Sequence, residues 1–483
     1  VLSTTCHKVL AVIRRVGYGE GKEEASTMTK MKLPCGALTA VAMLAASAAL
    51  APAPVAAEEV TINLWSRADR SGPLRAGNIV AAADQLNRML EATGSETRVK
   101  IEVFENNADG FDADALDLFK AFAVDRGPDI YVLAHEWIGA FVEEGLAYQL
   151  DDHIEANPEL YDDVIDTLWA SVAYKGGRYG IPQDSEIRMF FYDKNMLRQI
   201  GKDEAFIEEL PANVESGEFT IYDMTDLAKE VVDGGAAKYG IVHRPNVGPD
   251  FQMLMKSFGI DQFNPDEGKL QISETQLAAF FDWLKYSVDA GVIPANMTAW
   301  SWDEVHASFR TDKTAFIKFH GIWNVPAQLE TRGLTKDTYF NEIGWTHSPA
   351  AEAGGEPANL SHPIMYAVSA KSEHPELAAY IVGLASQNYL NTAHAVTTGH
   401  TPINHGQAAM PRFIEEGWAL RAGAPMLEYA SFMPNHAMIG QYNGIVFTGI
   451  QAVETGRLEP KDAAAFVVEE LQAELGDELI VLD

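Results

Sequence analysis

From Val60 to Trp137 the chain alternates between two periodicities, and this alternation limits its fold more tightly than any other feature. Val60-Thr61-Ile62-Asn63-Leu64-Trp65 alternates apolar and polar residues, which predicts a strand. Between Ile79 and Thr93, residues Ile79, Ala83, Leu86 and Leu90 share one helical face. A second strand is predicted from Arg98 to Phe104 and a helix from Leu116 to Val124. Gly127-Pro128-Asp129 then introduces the apolar run Ile130 to Ala134. Strand–helix alternation predicts βαβ units, an α/β fold and a largely parallel sheet.

The first 57 residues follow different rules. A short basic start (Lys30, Lys32) precedes an apolar run from Ala37 to Leu50, then prolines and Val55-Ala56-Ala57. That order predicts a secretory signal peptide cleaved near Ala57, and so a periplasmic protein. Residues 1–30 are expected to be an upstream extension, with Met31 or Met28 as the natural start. Both cysteines, Cys6 and Cys35, fall in this leader, so neither disulfide nor thiolate chemistry is expected beyond it. Cys35 precedes the apolar run, the wrong context for lipidation. Residues 58–483 suffice for two or three domains. The net charge of −33 argues against nucleic acid as a partner, because phosphate binding needs Lys and Arg. The acids are spread along the chain, as on a solvated surface.

Thr311 to Pro326, TDKTAFIKFHGIWNVP, places a large aromatic beside a strand end. Thr314 to His320 is rich in β-branched and aromatic residues and predicts a strand stopped by Gly321. Trp323 follows, and Asn324-Val325-Pro326 predicts the first turn of a helix. Ligands of open α/β sheets bind at the carboxyl ends of strands. The competing assignment for Trp323 is an ordinary core residue.

This run resembles the Gly-x-Trp segment of bacterial extracellular solute-binding proteins of the maltose and multiple-sugar type, the receptors of ABC importers. Further segments resemble the same family in order. Pro128-Asp129 and its strand lead to His135-Glu136-Trp137, where the resemblance implies ligand contacts. Phe141 to Leu146 fits the family's apolar-Gly-Leu turn. Tyr179-Gly180-Ile181-Pro182 through Tyr192-Asp193-Lys194 resembles its crossover between lobes, with Asp193 in place of the usual asparagine. Glu186 falls where a polar group meets sugar hydroxyls, a task suited to a carboxylate. Asn246, Asp250, Phe251 and Gln252 stand at a loop–helix boundary that often meets ligand. For Asp250 and Phe251 a helix cap and a core aromatic are equally good assignments. Ile364 to Ser369 resembles the return crossover, and Phe432-Met433-Pro434-Asn435 precedes Tyr442 and Asn443, which face the cleft by spacing.

The resemblance implies two α/β lobes, a type II-like periplasmic binding protein with a ligand cleft between them. Its lobes are expected at 58–183 with 368–424, and at 184–367 with 425–483. The expected ligand-binding set is Trp65, Arg67, Asp69, His135, Glu136, Trp137, Asp184, Glu186, Asp250, Phe251, Trp323, His362, Tyr442 and Asn443. In the resembling family Trp323 would stack on a sugar ring. The implied partners are a carbohydrate or polyol and the permease subunits of the importer, with the protein acting as a monomer. No cofactor or metal is expected, because no His/Cys/Asp set has ligand spacing. His135-Glu136 begins HExxH, but position 139 is glycine, which removes the second zinc ligand. A secreted hydrolase remains the rival class. G-x-S-x-G and Walker motifs are missing, while paired carboxylates for glycoside hydrolysis are a matter of three dimensions. Arg67, Arg70, Arg188 and Arg244 leave a phosphorylated or sulfonated ligand open, since guanidinium pairs with such groups in bidentate fashion.

Overall fold

The computed structural model describes residues 59–108 and 110–483. The expected signal peptide, its cleavage near Ala57, Cys6 and Cys35 lie outside the described residues. Strand β1 (Glu59–Arg67) opens the fold, followed by α1 (Gly72–Ala92), β2 (Arg98–Asn106), α2 (Phe111–Ala123) and β3 (Ile130–Ala134). A longer excursion leads to β4 (Ile181–Asp184). The chain then crosses at once to β5 (Arg188–Asp193) in a second sheet. That lobe continues with β6 (Tyr239–Val242), α3 (Pro249–Ser257), α4 (Glu274–Asp289), α5 (Trp302–Arg310), β7 (Ala315–Gly321), α6 (Val325–Arg332) and β8 (Ile343–Thr346). The return passes through β9 (Ile364–Val368), α7 (Pro375–Ala385) and α8 (Asn388–Thr398), then α9 (Ile439–Glu454) and α10 (Pro460–Leu475).

The first sheet has the order β2-β1-β3-β9-β4 and the second β8-β5-β7-β6. Each packs its own hydrophobic core. Ile62, Leu64, Val132, Met365 and Ile381 belong to one; Phe190, Ile241, Trp283, Phe319 and Val467 belong to the other. Two cores joined by crossing strands make two lobes.

One expectation needs correction. The sheets are mixed rather than largely parallel. β1 pairs in parallel with β2 and β3, but β9 is antiparallel to both β3 and β4. In the second sheet β7 is parallel to β6 and antiparallel to β5. β5 and β9 arrive from the opposite lobe, so they need no right-handed helical crossover and run against their neighbours. After α3 a short hairpin pairs Phe263–Asn264 with Lys269–Ile272, and Leu479–Val481 adds a third strand.

The first helices start earlier than their apolar period. α1 begins at Gly72 with Pro73 in its first turn, where a missing N–H costs little. α2 begins at Phe111. Ser71 and Arg75 at the start of α1, and Phe111 and Asp112 at the start of α2, face a cavity between the lobes. Periodicity reads only the face turned to the core, so it misses these turns.

Candidate functional site

A cavity of about 430 Å³ lies between the lobes. The end of β1 contributes Arg67 and the loop after it Asp69 and Arg70; the start of α2 contributes Phe111 and Asp112; the turn after β3 contributes Glu136. The second lobe faces them with Arg188, Arg244, Trp302, His306, Arg310, His320 and Trp323. Glu186 and His362 line it from the two crossing segments.

Trp323 forms part of one wall and is only partly buried. Its ring folds back over the end of β7. A Cβ placed on Gly321 would lie 1.3 Å from the ring atom Cζ3, so only glycine admits this conformation. The ring stands parallel to the His400 imidazole, with centroids 5.7 Å apart and planes 9° apart. The Arg188 guanidinium carbon lies 4.8 Å from the Trp323 centroid, within cation–π range.

A chain of charges crosses the cleft. His362 Nε2 lies 2.9 Å from both Glu136 oxygens, and His362 Nδ1 lies 3.7 Å from Glu186 Oε2. Arg188 donates to Glu186 Oε2 at 2.6 Å and to Asp250 Oδ1. Every member of this chain is buried. Burial opposes the His362 cation, but Glu136 and Glu186 outweigh it and push the imidazole up to about 9. Burial opposes the Glu136 charge too, and His362 nonetheless holds it well below the usual carboxylate range. His135, beside them, is pulled down to about 4 by burial.

The structure brings six of the expected residues to the cavity: Arg67, Asp69, Glu136, Glu186, Trp323 and His362. Asp69 bonds the backbone N–H groups of Ser71 and Gly72 at 2.8 and 2.7 Å and pairs with Arg67 at 3.2 Å. The other eight serve the fold around it. Trp65 packs on Phe104 and donates to Asp114 at 3.0 Å. His135 bonds Asn435 at 2.8 Å, and Trp137 donates to Asp112 at 3.0 Å. Asp184 is fully buried and accepts from Arg75 Nη2 at 2.8 Å. Asp250 anchors Arg188 from behind, and Phe251 packs between His243 and Phe447. Tyr442 is fully buried, donating to the Gln271 carbonyl at 3.0 Å. Asn443 accepts from Gln252 at 2.9 Å. Phe251 and Tyr442 share a physical reason: an apolar ring in an element with a core face turns toward that core.

Residues the sequence reading passed over include His306, Arg310, His320 and His400. One signal was present. Trp302, His306 and Arg310 stand four residues apart, and that spacing sets side chains on one helical face. His400 carried no local signal.

Among the described residues, Asp184, His394 and His400 could present ligand atoms to a metal ion. Arg75 already occupies Asp184 and its guanidinium would repel a cation, so these residues do not fit one.

The sequence matches the family described as bacterial extracellular solute-binding protein over residues 79–383. A Brucella abortus protein, provisionally named a binding protein, is 23% identical over 346 residues, spanning 70% of this chain and 78% of the relative. The fold is similar to the GacH receptor of Streptomyces glaucescens, studied unliganded and with acarbose. The TM-score is 0.69 at 15% identity, covering 87% of this chain and 99% of that one. The maltotriose-bound MalE domain of Bdellovibrio bacteriovorus gives a TM-score of 0.66 at 19% identity, covering 86% and 100%.

Proposed function

The chain belongs to the bacterial extracellular solute-binding proteins, and we propose that it captures a carbohydrate or polyol between its lobes for the permease of an ABC importer. The observation that carries this reading is the pairing of one aromatic face with buried carboxylates across the cavity. Trp323 offers an apolar surface to a sugar ring. Glu186 and Glu136 offer acceptors for hydroxyl groups, in charge-assisted bonds roughly twice as strong as neutral ones. Similar folds hold acarbose and maltotriose, which supports the carbohydrate class. Ligand would close the lobes about the crossing segments in a hinge motion. The protein would bind without converting its ligand, working as a monomer in the periplasm after signal-peptide cleavage near Ala57.

A thermal-shift screen over sugars, oligosaccharides and polyols tests this. Ligand at a hundred times its Kd adds about 2.7 kcal/mol of stability. Release of reducing sugar from an oligosaccharide by the purified protein would instead favour a hydrolase.

A further inference from the structure

The cavity's charges are unevenly paired. Arg67 meets Asp69, Arg75 meets Asp184, Arg188 meets Glu186 and Asp250, and His362 meets Glu136. Arg70 and Arg310, both on the cavity wall, make no ion pair among the described residues. Arg310 donates through Nη2 to the Asn324 side-chain oxygen, a neutral acceptor, and its buried Nε has no partner there. Burial and the nearby Arg70 cation together pull the Arg310 guanidinium down to about 10. The loop after β1 and the last turn of α5 thus bring two guanidinium groups toward each other across the cleft.

The wall beside them is also made of donors. His306 lies one turn before Arg310 on α5. Its Nδ1 lies 2.5 Å from the buried Lys318 ammonium. Burial and the Arg310 cation lower Lys318 well below the usual ammonium range; with Lys318 Nζ donating to Nδ1, the neutral His306 ring carries its proton on Nε2. Lys318 itself is fully buried with no carboxylate within ion-pair distance among the described residues. The Trp302, His306 and His320 rings stack with centroids 5.3 to 5.5 Å apart, which holds this wall rigid. In a protein of net charge −33, a cleft corner with two unpaired guanidinium groups stands out. Like charges brought near each other, one of them partly buried, cost free energy that a bound anion offsets.

We propose that the corner formed by Arg70, His306 and Arg310 holds an oxyanion, and that the ligand is therefore an anionic carbohydrate or polyol carrying a phosphate, sulfonate or carboxylate group. The inference rests on the carbohydrate reading above. The sugar body would lie against Trp323 and Glu186, with its charged end at α5. Guanidinium suits this task because its fork offers two parallel N–H donors to two oxygens.

The test is titration of the purified protein with matched pairs: glycerol and glycerol 3-phosphate, glucose and glucose 6-phosphate, galactose and galacturonate, with inorganic phosphate alongside. At least one anionic member should bind tenfold or more tightly than its neutral counterpart, and its affinity should fall with added salt. Arg310→Gln and the exposed Arg70→Gln should each weaken that anionic ligand roughly tenfold or more while leaving the melting temperature of the free protein nearly unchanged. Neutral members binding as well as anionic ones, or no anionic member binding at all, would overturn the inference. Whether neutral sugars then bind decides separately if the carbohydrate reading survives. Phosphate binding as tightly as its sugar esters would keep the anion corner and remove the carbohydrate.

Discussion

His362 places one imidazole nitrogen 2.9 Å from both oxygens of Glu136 and the other 3.7 Å from Glu186. It therefore ties the turn after β3 to both crossing segments. The bridge works only while His362 is protonated. Its folded pKa, about 9, lies above the unfolded value near 6.5. Its contribution to stability is therefore complete below about pH 6.5 and lost as pH rises through about 9. The size is on the order of 3 kcal/mol at most. Melting temperature measured from pH 6 to 10 should fall across that window, and His362→Gln should flatten the fall. An unchanged profile in the variant would show that the bridge carries no such linkage.

Trp323→Ala separates wall from core. Stacking on a flat ring is worth about 1–3 kcal/mol for nucleobases, a scale borrowed here for a sugar face. Affinity for whichever ligand the screen finds should drop roughly five- to 150-fold, with a small change in the free protein's melting point. A loss of about 3–5 kcal/mol in folding stability with affinity intact would mark Trp323 as a packing residue.

Gly321→Ala tests the same wall without removing the ring. The new methyl would occupy the place of the Trp323 ring, so the indole must swing away. Tryptophan fluorescence should shift and affinity should fall toward that of Trp323→Ala. Native fluorescence and native affinity together would mean that the ring position does not depend on this glycine.

Asp184→Asn probes a residue that sits behind the cavity. Burial raises the cost of its charge, yet Arg75, His400 and His394 hold its carboxyl far below the usual range. Its contribution is therefore present above about pH 4 and lost on acidification. Replacement leaves Arg75 buried without its anion, which costs about 3–5 kcal/mol. Urea unfolding at pH 7 should register that loss. A variant as stable as the parent protein would show that Arg75 finds another partner.

Much of the fold was legible because strands and helices answer to local period. Val60 to Trp65 lies in β1 and Ala315 to His320 in β7, where local period predicts strands. Gly321 and Trp323 were legible as a pair, since a glycine before an aromatic at a strand end is a local steric statement. Strand direction was not legible. β5 and β9 look like any other strand in sequence, and only the crossing between lobes sets them antiparallel. The same holds for function at single residues. Glu136, Glu186 and His362 are far apart in the chain and become one charged bridge only when the lobes meet. Tyr442 and Phe251 sit at family-like positions, yet each turns its ring to a core, because burial is decided by what packs above a residue and not by its neighbours in sequence. Arg70 and Arg310 carry the same charge as every other arginine. Tertiary structure alone places them together at a cleft corner where neither makes an ion pair among the described residues, because ion pairing is a matter of distance and burial that one-dimensional spacing does not encode.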